Sequence, residues 1–278
     1  VLVRSLLALV LLIIAVAAAV AAGAAAVLTR NVLDPAGFSR VVVASMQSPA
    51  GLALVHQRVE SQIRDRAVGQ PEALSSVVAT ATAAWAVAAI ESDAAPRILG
   101  PLTVGIQQGL LTGDQTRTVQ LDVRALATAV QPPPIVAALL AMAQGDILVD
   151  IPWVQVSPLA AVVLQQLDRH RSAPTLLGLV ALITGVVALL FARRRGLTLV
   201  LLGLFLAVAA YGLRPIATYA HGWIVDARTS DQGLAALSKV AINEIFVGWS
   251  AVSGALIAIG LALALVGAVL GFRRPRRT

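Results

Sequence analysis

Residues 172–213 read SAPTLLGLVALITGVVALLFARRRGLTLVLLGLFLAVAAYGL, two uncharged stretches joined at Arg193, Arg194 and Arg195. The first, Ser172 to Ala192, is 21 residues long and the second, Gly196 to Leu213, is 18. A bilayer core needs roughly 20 apolar residues of helix, so the segment reads as a transmembrane hairpin with an arginine turn. Two more uncharged stretches flank it: Ser5 to Thr29, of 25 residues, and Ile245 to Phe272, of 28.

The charges beside these stretches sort by sign. Arg4, Arg193 to Arg195 and the tail Arg273, Arg274, Arg276 and Arg277 make eight arginines with no acidic residue among them. Cytoplasmic flanks of membrane helices carry such an excess. The expected topology is a multi-pass plasma-membrane protein with both termini cytoplasmic. Removing the eight arginines from 21 basic residues leaves 13 against 14 acidic ones, so the net charge of +7 is a topological feature. A nucleic-acid binder would cluster its basic residues with aromatics on a soluble face, and that class is set aside. Anionic lipid headgroups are the expected partners of the arginine clusters.

The chain contains no cysteine, which excludes disulfides, thiolate metal sites and a cysteine nucleophile. A mean hydropathy of +0.86 agrees with an integral membrane protein. One lysine stands against 20 arginines in an Ala-, Val- and Leu-rich chain, a bias associated with GC-rich bacterial genomes. The first stretch exceeds the roughly 7–15 residues of a signal-peptide core and reads as a retained anchor.

Residues 30–171 are long enough for one domain. Asp34-Pro35 and Ser48-Pro49 are N-cap and N1 pairs. The first opens a helix burying Phe38, Val41, Val42 and Met46; the second opens one burying Leu52, Val55, Val59 and Ile63. Pro71-Glu72 starts an alanine-rich helix to about Glu91, and Ser92-Asp93 another, broken or bent near Gly100-Pro101. Thr116 to Val123 and Ile147 to Val156 suggest two short strands, a small pair or hairpin-like sheet; Pro152 argues for an edge or bulge. A helix from about Val123 to Val130 precedes Pro132 to Pro134, which stop it, and Ile135 to Ala143 forms the next. Ser157-Pro158 starts a helix carrying Leu159, Val162, Val163 and Leu167. In the loop 214–244, Leu234, Leu237, Val240 and Ile242 suggest a helix running directly into the last span. Trp223, Trp249, Tyr211 and Tyr219 fall near membrane interfaces, where amphipathic rings settle.

The expected fold is therefore mainly α: a polytopic membrane protein with four transmembrane helices and a helical extracytoplasmic domain carrying one short two-stranded element. Its parts are spans at 5–29, 172–192, 196–213 and 245–272, outer segments at 30–171 and 214–244, and a basic cytoplasmic tail at 273–278. The stretch NVLDPAGFSRVVVASMQSPAG, the VQLDVRAL and IPWVQV segments, LQQLDRHR and the closing pair of spans resemble a family of uncharacterised four-span integral membrane proteins from actinobacteria. The resemblance covers nearly the whole chain and implies this topology and a helical outer domain. It carries no functional residue over.

Chemical motifs are sparse. The spans hold no ionisable side chain, whereas proton- and ion-coupled transporters need such groups within the bilayer. GxSxG, Walker and GxGxxG patterns are missing; Lys239 lies outside any glycine-rich loop. His56 and Glu60 stand four apart on a helix, the spacing of two metal ligands, but without HExxH they read as a solvated face. Asp168, Arg169, His170 and Arg171 form a charge cluster just above the second span, ordinary at headgroup level, with a lipid-headgroup or partner contact as the alternative. His221 with Asp226 and Arg228 reads as a solvated loop, and Asp146 with Asp150 falls across a turn. Ala15, Ala19 and Gly23, and Gly267 with Gly271, are small-residue faces of the kind that pack helices closely or dimerise; chance in alanine-rich spans is the plainer reading.

No catalytic, cofactor-binding or metal residue is assigned. The expected function is non-catalytic: an accessory or scaffold for an envelope membrane complex, working through the extracytoplasmic domain with membrane lipids, a protein partner or a second copy as its partners. The alternative is an extracytoplasmic binder of lipid or another hydrophobic ligand. Ala79, Ala81, Ala83, Ala84, Ala86, Ala88 and Ala89 would either pack helices closely or leave room for an acyl chain. A membrane enzyme of unknown reaction ranks third.

Overall fold

A computed structural model of the chain describes residues 2–66, 71–112, 119–142, 147–151, 158–192, 194–215 and 232–272. The architecture is mainly helical, and its helices fall into two compact units. One comprises Val1–Thr29, Leu167–Ala217 and Phe246–Thr278; the other comprises Arg30–Gln166 and Thr218–Ile245. The loop region 214–244 therefore does not stand alone, since most of it belongs with residues 30–166.

The first unit is built from α1 (Leu2–Leu28), α9 (Ala173–Phe191), α10 (Arg195–Gly212) and α12 (Trp249–Phe272). α1 packs on α9, and α10 packs on α12. The second pair is held by glycines in register. A Cβ on Gly196 would lie 2.7 Å from the Gly267 carbonyl oxygen, and one on Gly260 would lie 2.5 Å from that of Gly203. Residue numbers rise along one helix as they fall along the other, so the pair is antiparallel. The same seven-residue step leads on to Ala210 and Ser253, both fully buried. Seven residues are nearly two helical turns, so small residues at this interval form one continuous seam. Lipid tails are as apolar as leucine, so close backbone packing has to supply the attraction between such helices. At the end of the seam, Trp249 is buried and donates its indole N–H to the Leu213 carbonyl at 2.8 Å. Trp249 is thus packed within the helix pair. Tyr211 does remain exposed, with the Arg214 guanidinium 5.7 Å from its ring centre; Tyr219 and Trp223 lie outside the described residues.

The second unit begins within a π-helical turn, Thr29–Leu33, followed by α2 (Pro35–Met46) and α3 (Pro49–Arg66). Both expected caps form. The Gly37 amide donates to Asp34 Oδ2 at 2.8 Å, and the Gly51 amide to Ser48 Oγ at 3.1 Å. The two starts share a cap-Pro-Ala-Gly pattern whose last residue has a second role. A Cβ on Gly37 would strike the Arg30 carbonyl oxygen, and one on Gly51 would strike the backbone of Ser45 and Met46. Only glycine lets the chain fold back so closely over its own cap.

α4 (Glu72–Glu91) packs along α3; Val55 and Val59 on α3 and Ala79, Ala83, Ala86 and Ala89 on α4 are all fully buried. α5 (Ala95–Thr112) runs continuously through Pro101, where the sequence suggests a break or a bend. Pro101 and Arg97 are both exposed, so the Arg97 carbonyl that loses its helical partner can face water and the helix survives. β1 (Val119–Asp122) and β2 (Leu148–Ile151) pair antiparallel, Val119 opposite Ile151 and Asp122 opposite Leu148. They are not a simple hairpin, because α6 (Val123–Ala129) and α7 (Pro134–Met142) intervene. Asp122 caps α6 through its carboxylate, which accepts from the Arg124 amide at 2.8 Å. Thr116, Thr118 and Pro152 lie outside the described residues.

Side-chain amides close this unit at the ends of its helices. Asn31 donates to the Ile245 carbonyl at 2.7 Å, Gln47 to Ile90 at 3.0 Å, and Gln107 to Val32 at 2.8 Å. Carbonyls at helix termini lack intrahelical partners, so each amide satisfies a group that burial would otherwise leave costly. Through Asn31 and through packing on α2 and α3, α11 (Gln232–Ile245) joins the unit. It does not run straight into α12. A turn at residues 246–248 separates them, and Gly248 there has φ +90°, a conformation that other residues rarely adopt.

Five helices among the described residues are long and apolar enough to cross a membrane: Arg4–Leu33, Glu72–Glu91, Ala173–Phe191, Arg195–Gly212 and Trp249–Gly271. Four correspond to the stretches read from sequence; Glu72–Glu91 is additional. Its apolar window is 44% buried within the protein, against 33, 11, 17 and 17% for the others. Pro35–Met46 with Pro49–Arg66 meets the same criterion only as a pair bent by 73°.

Candidate functional site

Glu60 lies at the centre of a small polar network on the outer side of α3. Its Oε1 accepts from Arg64 at 2.6 Å and lies 3.4 Å from the Thr80 hydroxyl; its Oε2 lies 3.6 Å from His56 Nδ1. Both carboxylate oxygens thus face protein donors, and Arg64 would repel a cation. Among the described residues no group of three or more His, Asp or Glu side chains converges as a metal site. The pair His56 and Glu60 therefore stands as a surface ion network. The side chains are 40, 25 and 52% exposed for His56, Glu60 and Arg64, so the ion pair contributes about 0–1 kcal/mol.

Asp168 pairs with Arg171 at 3.0 Å one turn along the chain, beside exposed Arg169 and His170. Asp150 takes a different part from the one its sequence position suggests. Its backbone amide donates to Gln62 Oε1 and its carbonyl accepts from Gln62 Nε2, both at 3.1 Å. Arg66, one turn further on α3, donates to the Leu148 carbonyl at 2.6 Å. Gln62 and Arg66 together occupy the open edge of β2, protecting an edge that would otherwise invite strand addition. His221, Asp226, Arg228 and Asp146 lie outside the described residues.

Two kinds of surface have the character of binding sites. In the second unit apolar side chains face outward on helices that pack together: Leu74 (51% exposed) and Val77 (56%) on α4, and Met142 (76%) on α7. α8 (Pro158–Arg169) carries Leu159, Val162 and Val163 on one exposed face. Isolated exposed apolar residues are ordinary; rows on neighbouring helices are the pattern of an interaction surface.

In the first unit a cleft of about 460 Å³ lies between the N-terminal part of α1 and the start of α10. Its walls are Leu6, Leu9 and Leu12 on one side and Leu197 and Leu201 on the other, with Arg194 in its lining. No sequence pattern marks this cleft, since its two walls are more than 180 residues apart. The small-residue faces are engaged within the chain: a Cβ on Gly23 would meet Val252 at 2.9 Å, and Gly267 faces α10.

Comparison with protein-family models, curated proteins and solved structures returns no significant match to this chain.

Proposed function

We propose that the protein is a four-span plasma-membrane protein, a non-catalytic accessory or scaffold that holds an envelope partner through an extracytoplasmic second unit. The family resemblance read from its sequence agrees with that arrangement. α1, α9, α10 and α12 are the spans, and the arginines at their ends face the cytoplasm. α4 is the helix that must be assigned to one environment or the other. Thr80, halfway along α4, lies 3.4 Å from Glu60, and α3 brings Arg58, Arg64, Asp65 and Arg66 along the same helix pair. Setting α4 across a bilayer would draw those groups into hydrocarbon, at roughly 2.5–3.5 kcal/mol for each charged side chain at the centre. α4 therefore belongs to the water-exposed domain.

The observation that carries the scaffold reading is the exposed apolar row of α4 and α7 on a domain whose alanines are packed. Ala79, Ala83, Ala86 and Ala89 have no exposed surface, so none of them lines an open groove for an acyl chain. That weighs against the hydrophobic-ligand reading in this part of the domain. The test is affinity purification of the full chain from native membranes in mild detergent, followed by mass spectrometry. A stoichiometric protein lost with Leu74→Ser/Val77→Ser, yet kept with Val104→Ser on α5, supports the proposal. Recovery of the chain with lipid alone counts against it.

A further inference from the structure

We infer that the cleft between α1 and α10 is a binding site for one anionic phospholipid, its headgroup phosphate on Arg194 and an acyl chain between the leucine walls. The inference rests on the reading of these helices as membrane spans. Depth comes first: the lining runs from Ser5 to Leu12 on α1 and from Arg194 to Leu201 on α10. Seven residues of helix extend about 10 Å, so the cleft reaches well below the headgroup level. Its floor offers leucine side chains, a surface for hydrocarbon. Chemistry changes at the mouth, where Ser5 and Arg194 supply a hydroxyl and a guanidinium, and no acidic residue is among the described residues that line the site. Arg4 and Arg195, both exposed, adjoin the lining residues in sequence and add positive charge at the same level. A guanidinium presents a planar fork of donors suited to phosphate. Charge complementarity therefore selects an anionic lipid over a zwitterionic one, and the apolar depth selects a lipid over a soluble phosphate.

The experiment uses the full chain in mild detergent, titrated with phosphatidylglycerol or phosphatidylcholine of identical acyl chains and read by native mass spectrometry. Wild type should retain one phosphatidylglycerol with a preference of about five-fold for each arginine that meets the headgroup. Leu9→Trp, at a side chain exposed in the cleft, should lower retention of both lipids about ten-fold without lowering the melting temperature. Arg194→Gln should reduce the preference between the two lipids and leave phosphatidylcholine retention in place. Inorganic phosphate alone should not displace the lipid. Equal retention of both lipids by wild type, or unchanged retention by Leu9→Trp, would overturn the inference. Extraction of the wild-type chain from native membranes by alkaline carbonate would be a different failure, because it removes the membrane reading itself.

Discussion

The glycine seam between α10 and α12 makes the most demanding prediction, because its two sides are coupled. A Cβ on Gly260 would sit 2.5 Å from the Gly203 carbonyl oxygen and 3.0 Å from the Ala207 amide nitrogen. Ordinary contact begins at 3.4 Å, so Gly260→Ala requires the helices to part by about 0.9 Å at that level, the difference of the two distances. The obstacle is backbone, which cannot rotate away as a flexible side chain can. A radial gap of 0.5–1 Å forfeits roughly a quarter to a half of each neighbouring dispersion contact, and overpacking of this kind typically costs about 1–3 kcal/mol. Gly203→Ala meets the same obstacle from the other side, against Gly260 and Ala264. Once either alanine has parted the helices, the second has less to displace, so the double variant should cost less than the sum of the singles. Gly254→Ala on α12 is the control, since nothing lies within 4 Å of its Cβ position and helix propensity favours alanine by roughly 0.5–1 kcal/mol. Thermal unfolding in detergent, followed by size-exclusion of the surviving protein, should show each seam variant melting about 2–12 °C early, at roughly 2–4 °C per kcal/mol. Gly254→Ala should match wild type or exceed it. If Gly203→Ala melted no earlier than Gly254→Ala, the seam would not be what holds this helix pair.

Three further predictions concern the second unit. Gly37→Ala places a methyl group on the Arg30 carbonyl and should destabilise the chain more than Asp34→Ala, which removes a cap worth about 1 kcal/mol; paired melting curves compare them. Gln62→Ala leaves the Asp150 amide and carbonyl open to solvent and should speed hydrogen exchange along β2 while shifting global stability by no more than about 1 kcal/mol. Ala84→Cys, on the exposed side of α4, introduces the sole thiol of a cysteine-free chain. A membrane-impermeant maleimide should label it in intact cells, whereas protection until lysis or solubilisation would argue that α4 is a span or that the second unit faces inward.

Where an element's start depends on one residue's local chemistry, it was legible in the chain. Asp34-Pro35 and Ser48-Pro49 open helices because a short acceptor side chain and a preset φ act within a single turn. Phe38, Val41, Val42 and Met46 are buried for the same local reason, as one face of a helix with 3.6 residues per turn. The candidate sites were less legible. His56 and Glu60 have the spacing of ligands, but only the fold shows Arg64 and Thr80 on the same carboxylate. Asp150 looked like half of an acidic pair, and its backbone turns out to be what Gln62 grips. The helix through Pro101 is unbroken where a break or bend is expected, and the break at Gly248 reverses the expectation of a helix running straight on. In the first an exposed carbonyl relieves the proline; in the second a single dihedral overrides an apolar run.

The sequence by itself determined that this chain is helical and suited to a membrane, because hydrophobic length and the absence of charge are properties of each segment alone. Tertiary structure alone decided which glycines matter, what closes the edge of β2, and that an arginine-lined cleft joins residues near position 9 to residues near position 197. Those features depend on distances between backbones far apart in the chain, and no local pattern of residues encodes a distance of that kind.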